Sequence, residues 1–483
     1  MDGAVQDTEK PLDDRELGSS APLPTRDVEW ETSDFDPLNW ARSKKWTTVG
    51  TVSFHTFVSP LASSIMAPGL PEIGRHFNIT SPTLLALTLT IYLLAWALGP
   101  MLLGPLSEVY GRRWVVNISG GIFTAFSIGC IFAQSAGQLV AFRFLAGIGA
   151  CTPISIGSAI VADIFIPQER APATAAYAMA LLLGPPVGPV VGGYIAETIG
   201  FKYGFVLTAA LGGCATLLSL CLLPETYAEV LRFRAERAGK LSGPQETEGG
   251  AGVHIIHASR RPIMLLIKSP ICLVLSFYGA LVYGYLNMFF TTFPSVFGDI
   301  YGFRPGPTGL TYVAGGLGEL TATMVGGWLG QRIYLDLTRR NSGKAEPEFR
   351  IPGMILGSFA VPIGLFWFGW SAQAHVHWIV PILGSAVFGF GLMSVLLPMQ
   401  LYLVDAFRYA ASALAAAALF RSLLAFAIPL FAPQMIHAMG LGGTYSFLGG
   451  LSIAIGIPLP IWIYLRGKEI RSWSNLYSST TGE

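Results

Sequence analysis

Four titratable side chains lie inside long apolar runs, where charge is costly: His55, Arg143, Glu319 and Arg421. A carboxylate in such a place can take up and release a proton when burial holds its pKa up, and an imidazole can titrate near neutral pH. An arginine in hydrocarbon must be paired, hydrated or bonded to carbonyls, so Arg143, followed by Gly147 and Gly149 at close-packing spacing, should face the interior of a helix bundle. Glu319 and Arg421 each sit about 12 residues from the end of an apolar run, roughly 18 Å deep at the rise of a helix. Opposite charges at matching depth predict one of two things: a fixed ion pair, or a carboxylate that alternates between a proton and a partner. His55 stands among Ser53, Thr56, Ser59, Ser63 and Ser64, a polar stripe that fits a cavity better than lipid. It either titrates there or is hydrogen-bonded to a serine. Asp163 and Asp405 lie nearer the ends of their runs.

A second set of residues could bind an organic molecule. Tyr278, Tyr285 and Phe289 recur at i, i+7 and i+11, with Asn287 beside them, which puts aromatic surface, hydroxyls and an amide on one helix face. These four, with Arg421, are the expected cavity lining. Nothing resembles an enzyme: H-E-x-x-H, G-x-S-x-G and the P-loop are all missing. His375-Val-His377 supplies two metal ligands without a third, so neither a metal nor a cofactor is expected.

The elements that must hold these residues are membrane helices. Hydrophobic residues make up 52% of the chain and charged ones 12%, with a mean hydropathy of +0.54, against roughly 25% charged in soluble domains. Apolar stretches long enough to cross a bilayer number twelve, near 47–69, 83–106, 114–134, 136–162, 173–198, 203–224, 270–294, 307–331, 351–371, 377–404, 409–437 and 444–465. Ser81-Pro82 and Ser269-Pro270 place an N-cap and an N1 proline before spans two and seven. With a cytosolic N-terminus, 22 Lys and Arg near the membrane fall inside and three outside: Arg75, Lys202 and Arg304. Both termini are therefore expected in the cytosol. The expected organisation is an acidic disordered tail over 1–45, a six-helix bundle over 46–224, a basic linker over 225–268, a second six-helix bundle over 269–466 and a tail over 467–483. The basic linker serves orientation and anionic lipid, or regulation. The cysteines, Cys130, Cys151, Cys214, Cys221 and Cys272, read as buried free thiols.

Three stretches carry a resemblance. Between spans two and three the chain reads Gly104-Pro-Leu-Ser-Glu108-Val-Tyr-Gly111-Arg112-Arg113, with one acid facing two guanidinium groups across a tight reversal. Arg143 lies in span four. Span five contains Gly184-Pro-Pro-Val-Gly188-Pro189-Val-Val-Gly192-Gly193, an interrupted helix that in lipid marks a bend or a close contact. Together these resemble the three motifs of the major facilitator superfamily. A worn echo of the first, Gly327-Trp-Leu329 with Arg332, Arg339 and Arg340, follows span eight at the six-span repeat. Asp36-Pro37-Leu38-Asn39-Trp40, Pro224-Glu225-Thr226-Tyr227, Phe293-Pro294 and Phe420-Arg421-Ser422 are similar to the fungal twelve-span drug:proton antiporters. Departures at Ala417, Ala418 and Tyr445 bear on the substrate rather than on the fold.

The resemblance implies a part in proton coupling for Arg143, against a purely structural role in which it bonds helix-end carbonyls. It implies, through the span-five motif, an exporter that exchanges substrate for protons. The expectation is an all-α membrane protein of twelve transmembrane helices in two bundles that works by alternating access. Its partners are protons, the lipid bilayer and a small molecule such as a secondary metabolite, organic acid, toxin or drug, with no nucleic acid, and it works as a monomer. Arg143 and Arg421 in the cavity would favour a neutral or anionic substrate; were both structural, that preference would vanish. A polyamine or cationic-drug exporter and a nutrient importer share the fold, and a membrane-embedded sensor is the alternative of another class. The cell membrane is the expected location, with an intracellular membrane such as the vacuole as the alternative. Asn78-Ile-Thr80 is an outer sequon so close to span two that it is expected to stay mostly unmodified.

Overall fold

The computed structural model describes Trp30 and residues 33–166, 168–237, 263–407 and 410–471, and every regular element among them is helical. Nine helical segments are long and apolar enough to cross a bilayer by themselves. The other crossings are masked by local chemistry. Helix α1 (Arg42–Ser64) begins with Arg42, Lys44 and Lys45, which lower its mean hydropathy. Helix α8 (Pro305–Thr321) passes through a π-helical turn, Ala322–Gly326, before continuing as Gly327–Arg340. The last apolar segment, Ala410–Arg471, is two helices in one: Gly440 at φ +71° leaves the right-handed region and divides α11 (410–439) from α12 (441–471). Between α1 and α8 lie α2 (Pro82–Val109), α3 (Arg112–Ile131), α4 (Ala136–Ala150 and Thr152–Ile164), α5 (Arg170–Thr198), α6 (Lys202–Leu222) and α7 (Pro270–Ser295). Helices α9 (Ile351–Gln373) and α10 (Ile379–Ala406) complete the twelve.

Local capping follows the sequence. Ser81 accepts from Leu84 N and Ser269 from Cys272 N, each ahead of a proline at the first turn. Two helices extend past the expected spans. Pro37–Asn39 forms a 3-10 turn capped by Asp36, and α1 starts at Arg42, so residues 33–45 are folded rather than tail. At the other end α12 runs on to Arg471, which forms a buried ion pair with Glu348, 2.7 Å apart. The rest of the expected tails, and linker residues 238–262, lie outside the described residues. Cys214 and Cys221 are exposed on α6 rather than buried; the other three thiols are buried.

The Glu348–Arg471 pair ties the start of α9 to the end of α12, with Tyr402 of α10 donating to the same carboxylate. Arg471→Ala leaves Glu348 buried without its cation. We expect a destabilisation of about 3–5 kcal/mol, read as a lower thermal midpoint of the detergent-solubilised protein, and recovery of most of it in the Glu348→Ala/Arg471→Ala double variant.

Helices α1–α6 pack together, α7–α12 likewise, and two helix pairs join the halves: α5 with α8, and α2 with α11. Small residues make the first pair possible, since in lipid close backbone approach replaces the hydrophobic drive. The glycines of α5 serve two neighbours. Gly184, Gly188 and Gly192 lie against backbone of α1 around Phe57, Leu61 and Ile65, while Gly193 lies against Pro305 of α8. From the other side Gly309 meets the Pro189 carbonyl and Gly316 meets the Pro186 ring. The seam is confined to one end of the helices. Gly327–Arg340 buries no residue, and few residues of 170–183 are buried. We call the splayed side, which carries the turn between α2 and α3, the basic face, and the sealed side the far face.

Candidate functional site

Where the halves meet, a small cavity of about 30 Å³ lies between α5, α7, α8 and α10. Pro185 and Pro186 form its wall on α5; Leu286, Phe289, Phe290 and Phe293 form it on α7. Tyr312, Gly315, Gly316 and Glu319 come from one face of α8, and Ser385, Phe388 and Gly389 from α10. Phe289 is the hub of an aromatic cluster, 4.8 Å from both Phe368 and Phe388 and 5.3 Å from Tyr445. Tyr312 stacks on Phe290 and spends its hydroxyl on the Phe290 carbonyl, 3.1 Å away. Ser385 donates to Ile382 O. Glu319 is therefore the one carboxylate in the wall, 5% exposed, and among the described residues its side chain has no hydrogen-bond or ion-pair partner.

The expected pair of Glu319 with Arg421 does not form. Arg421 lies over the ring of Tyr283, 5.1 Å away on α7. Equal depth does not bring the two together, because α8 packs on α5 and α10 while α11 packs on α7 and α2. The expected lining is divided the same way. Phe289 faces the cavity, but Tyr278 donates to Ser358 of α9 at 2.8 Å, and Tyr285 is buried within the second half. Asn287 turns back to the Tyr283 carbonyl of its own helix. Tyr278, Tyr285 and Phe289 do share one face of α7, but the cavity face runs i, i+3, i+4 and i+7 from Leu286 and has only Phe289 in common with it. That pattern, and Tyr312 to Glu319 on α8, was the available signal for the residues missed.

Arg143 occupies a built site of another kind. Its guanidinium donates to Ala62 O and Ser63 O at 2.9 and 3.1 Å and to Thr88 O and Leu89 O at 3.2 and 3.4 Å, with Tyr92 stacked 4.8 Å away. The carbonyls of Ala62 and Ser63 are the orphans left where α1 ends, so the arginine clamps that end to α2 and α4. It is not among the cavity residues. With both arginines turned away, the physical basis for preferring an anionic substrate is lost. His55 likewise faces protein: its Nε2 is 3.4 Å from Ser219 Oγ, which donates to Asn117. The stripe around it is packing rather than cavity, since Ser59 donates to Ala150 O and Ser64 to Pro185 O.

At the basic face the turn before α3 is closed by residues far away in sequence. Gly111 takes φ +96°, and the Glu225 carboxylate accepts from Arg112 N and Arg113 N, 2.8 and 3.3 Å away, capping α3. Arg112 also reaches Asp163 Oδ2 at 3.3 Å and Ser107 Oγ at 2.6 Å, with Tyr227 stacked 4.8 Å from it. Burial pushes the Tyr227 hydroxyl above its ordinary value, so it is a neutral ring that meets the guanidinium. Arg113 bonds Leu220 O. Glu108, expected to face both arginines, is exposed and pairs with neither; Asp163 pairs with Arg112, and Glu225 accepts from the backbone amides of both. A Cβ on Gly104 would meet open space. The echo is also displaced: Arg332 stacks on Trp328, and the counterpart of Arg112–Asp163 is Arg350–Asp405, 2.9 Å apart. Asn78 is exposed at the far face with φ +48°.

The family model of the Major Facilitator Superfamily matches residues 52–429. An MFS transporter of Aspergillus oryzae, cpaT, is 41% identical over 457 residues, 92% of each chain. The efflux pump radE of Floropilus chiversii is 38% identical over 456 residues, covering 92% of this chain and 85% of its own. Among solved structures, a D-xylose–proton symporter superposes with a TM-score of 0.67 at 16% identity, over 91% of this chain and 99% of that one, a likeness of fold alone.

Proposed function

Since the chain belongs to the major facilitator superfamily, we propose that it exports a small organic molecule in exchange for protons, with Glu319 as the group that carries the proton. The transporter assignment rests on the family and on relatives named as transporters and efflux pumps. The unpartnered Glu319 carboxylate in an aromatic cavity between the halves is the observation that carries the proton coupling. A carboxylate with no fixed partner is free to exchange a proton for a substrate contact as the halves rock and its surroundings turn from one face to the other. The relatives named as efflux pumps support outward transport, and the cargo we propose is a secondary metabolite, toxin or drug, as the resemblance to the drug:proton antiporters implies. The excess of Lys and Arg on the basic face supports its assignment to the cytosol, with both termini there. The form described, sealed at the far face, then accepts cargo from inside. One chain encloses the whole cavity, which supports a monomer as the working unit, in the cell membrane or that of an organelle such as the vacuole.

The test is efflux from sealed vesicles with an imposed pH gradient. Uphill export should stop when the gradient is collapsed by an ionophore, and substrate movement should acidify the compartment that the substrate leaves. Export that continues unchanged without the gradient sinks the antiport reading.

A further inference from the structure

We propose that Glu197 is the releasable clasp of the far-face seal: a carboxylate on α5 of one half that caps the first turn of α8 in the other, and whose release lets the far side open. Helix α8 begins without a local cap, for Arg304 at the N-cap position makes no side-chain bond to it and Pro305 has no N–H to offer. The first amide of the helix is Gly306 N, which donates to Glu197 Oε2 at 3.0 Å. Arg304 Nη1 lies 3.6 Å from the other carboxylate oxygen. A negative charge at a helix start meets both the orphan amide and the positive end of the helix dipole. Gly306 has to be glycine for this approach, since a Cβ there would come within 2.6 Å of Glu197 Oε2 and 2.9 Å of the Tyr194 ring.

The remainder of the α5/α8 seam is different in kind. Gly193 on Pro305 and Gly309 on Pro189 are backbone-on-backbone contacts, and Gly316 meets the Pro186 ring; all three hold shape without a polar lock. Glu197 adds a directional, charged contact at the outermost turn, where its side chain is 24% exposed and far-side water can replace Gly306 N and Arg304 as partners. The other pair of joining helices has a smaller device at the same level: Gln434 of α11 and Thr83 of α2 hydrogen-bond at 2.5 Å. Glu197 is thus a positioning residue. It acts through α8, the helix that carries Glu319, and the inference rests on the alternating-access reading above.

The test uses the full chain in lipid nanodiscs, its native cysteines replaced, with spin labels at Ile199→Cys and Pro307→Cys, both exposed at the far face. Distances are read without substrate or pH gradient, so the result does not depend on coupling. Glu197→Ala should raise the far-open population about tenfold, the scale of one charge-assisted hydrogen bond. Arg304→Gln should change it less than about twofold, because that exposed pair is weak. Glu197→Gln keeps the shape and an acceptor oxygen, so it should fold normally and fall between the two. If Glu197→Ala and Glu197→Gln match the parent while the parent still samples two far-face distances, the clasp is overturned and transport stands. One unchanging distance in every protein would overturn alternating access together with it.

Discussion

Glu319→Gln is expected to bring substrate-for-proton exchange to background while leaving substrate counterflow, in which labelled and unlabelled cargo trade places with no net proton movement. The amide keeps the size of the carboxyl and its place among Phe290, Tyr312 and Phe388, so the cavity is conserved and only the titratable group is lost. Proton movement is read with a trapped pH dye, and counterflow with labelled substrate in the same proteoliposomes. Counterflow without proton movement supports the assignment. Coupling that persists in the variant reduces Glu319 to a structural residue and sends the search for the proton carrier elsewhere. Arg421→Gln is the informative control: with Arg421 over Tyr283 and not on Glu319, its loss should leave the proton stoichiometry unchanged.

The second large effect is expected at Gly192, where a single methyl group should sharply lower the stability of the folded protein. A Cβ there would overlap the Ile65 carbonyl oxygen and carbon of α1, and backbone atoms cannot swing aside as a side chain can. Overpacking commonly costs about 1–3 kcal/mol, and a clash with backbone belongs at the upper end. Gly121→Ala on α3 is the matched control, since nothing lies within 4 Å of its Cβ position, and helix propensity alone would favour it by up to about 1 kcal/mol. Thermal midpoints by fluorescence-detected size exclusion should separate the two. Gly309→Ala should behave in a third way. It strikes the Pro189 carbonyl across the halves and so should leave each bundle folded while weakening the far-face seam. Equal stability of Gly192→Ala and Gly121→Ala would contradict the packing assigned to α5.

The Gly184–Gly193 run shows how much was legible beforehand. Its composition pointed to close contact, and its match to a motif pointed to a family, yet both α1 and α8 were invisible as its partners. Gly184, Gly188 and Gly192 repeat every fourth residue toward α1, while Gly193, Pro189 and Pro186 face α8. The glycines of α8 that answer them, Gly306, Gly309 and Gly316, were not singled out, although their spacing from Pro305 was on the page. At the basic face, Pro224-Glu225-Thr226-Tyr227 was read as a marker of kinship. It supplies Glu225, the acid that caps the arginine turn, whereas the expected acid partner of the guanidinium groups, Glu108, is exposed.

What the sequence by itself determined is set along the helix axis. Hydropathy, caps and the Lys/Arg asymmetry set the expected ends and number of the membrane helices and the expected depth of Glu319 and Arg421. What only the tertiary structure decided is set around the axis. Whether Glu319 meets Arg421 or an empty cavity, whether His55 faces water or Ser219, and whether Arg143 meets cargo or the Ala62 and Ser63 carbonyls all depend on which helix stands beside which. The physical reason is that a bilayer sorts residues by depth alone, so depth is written in each segment's own composition. Azimuth comes from packing against helices distant in sequence, and a single apolar span, greasy on all sides, carries little record of it.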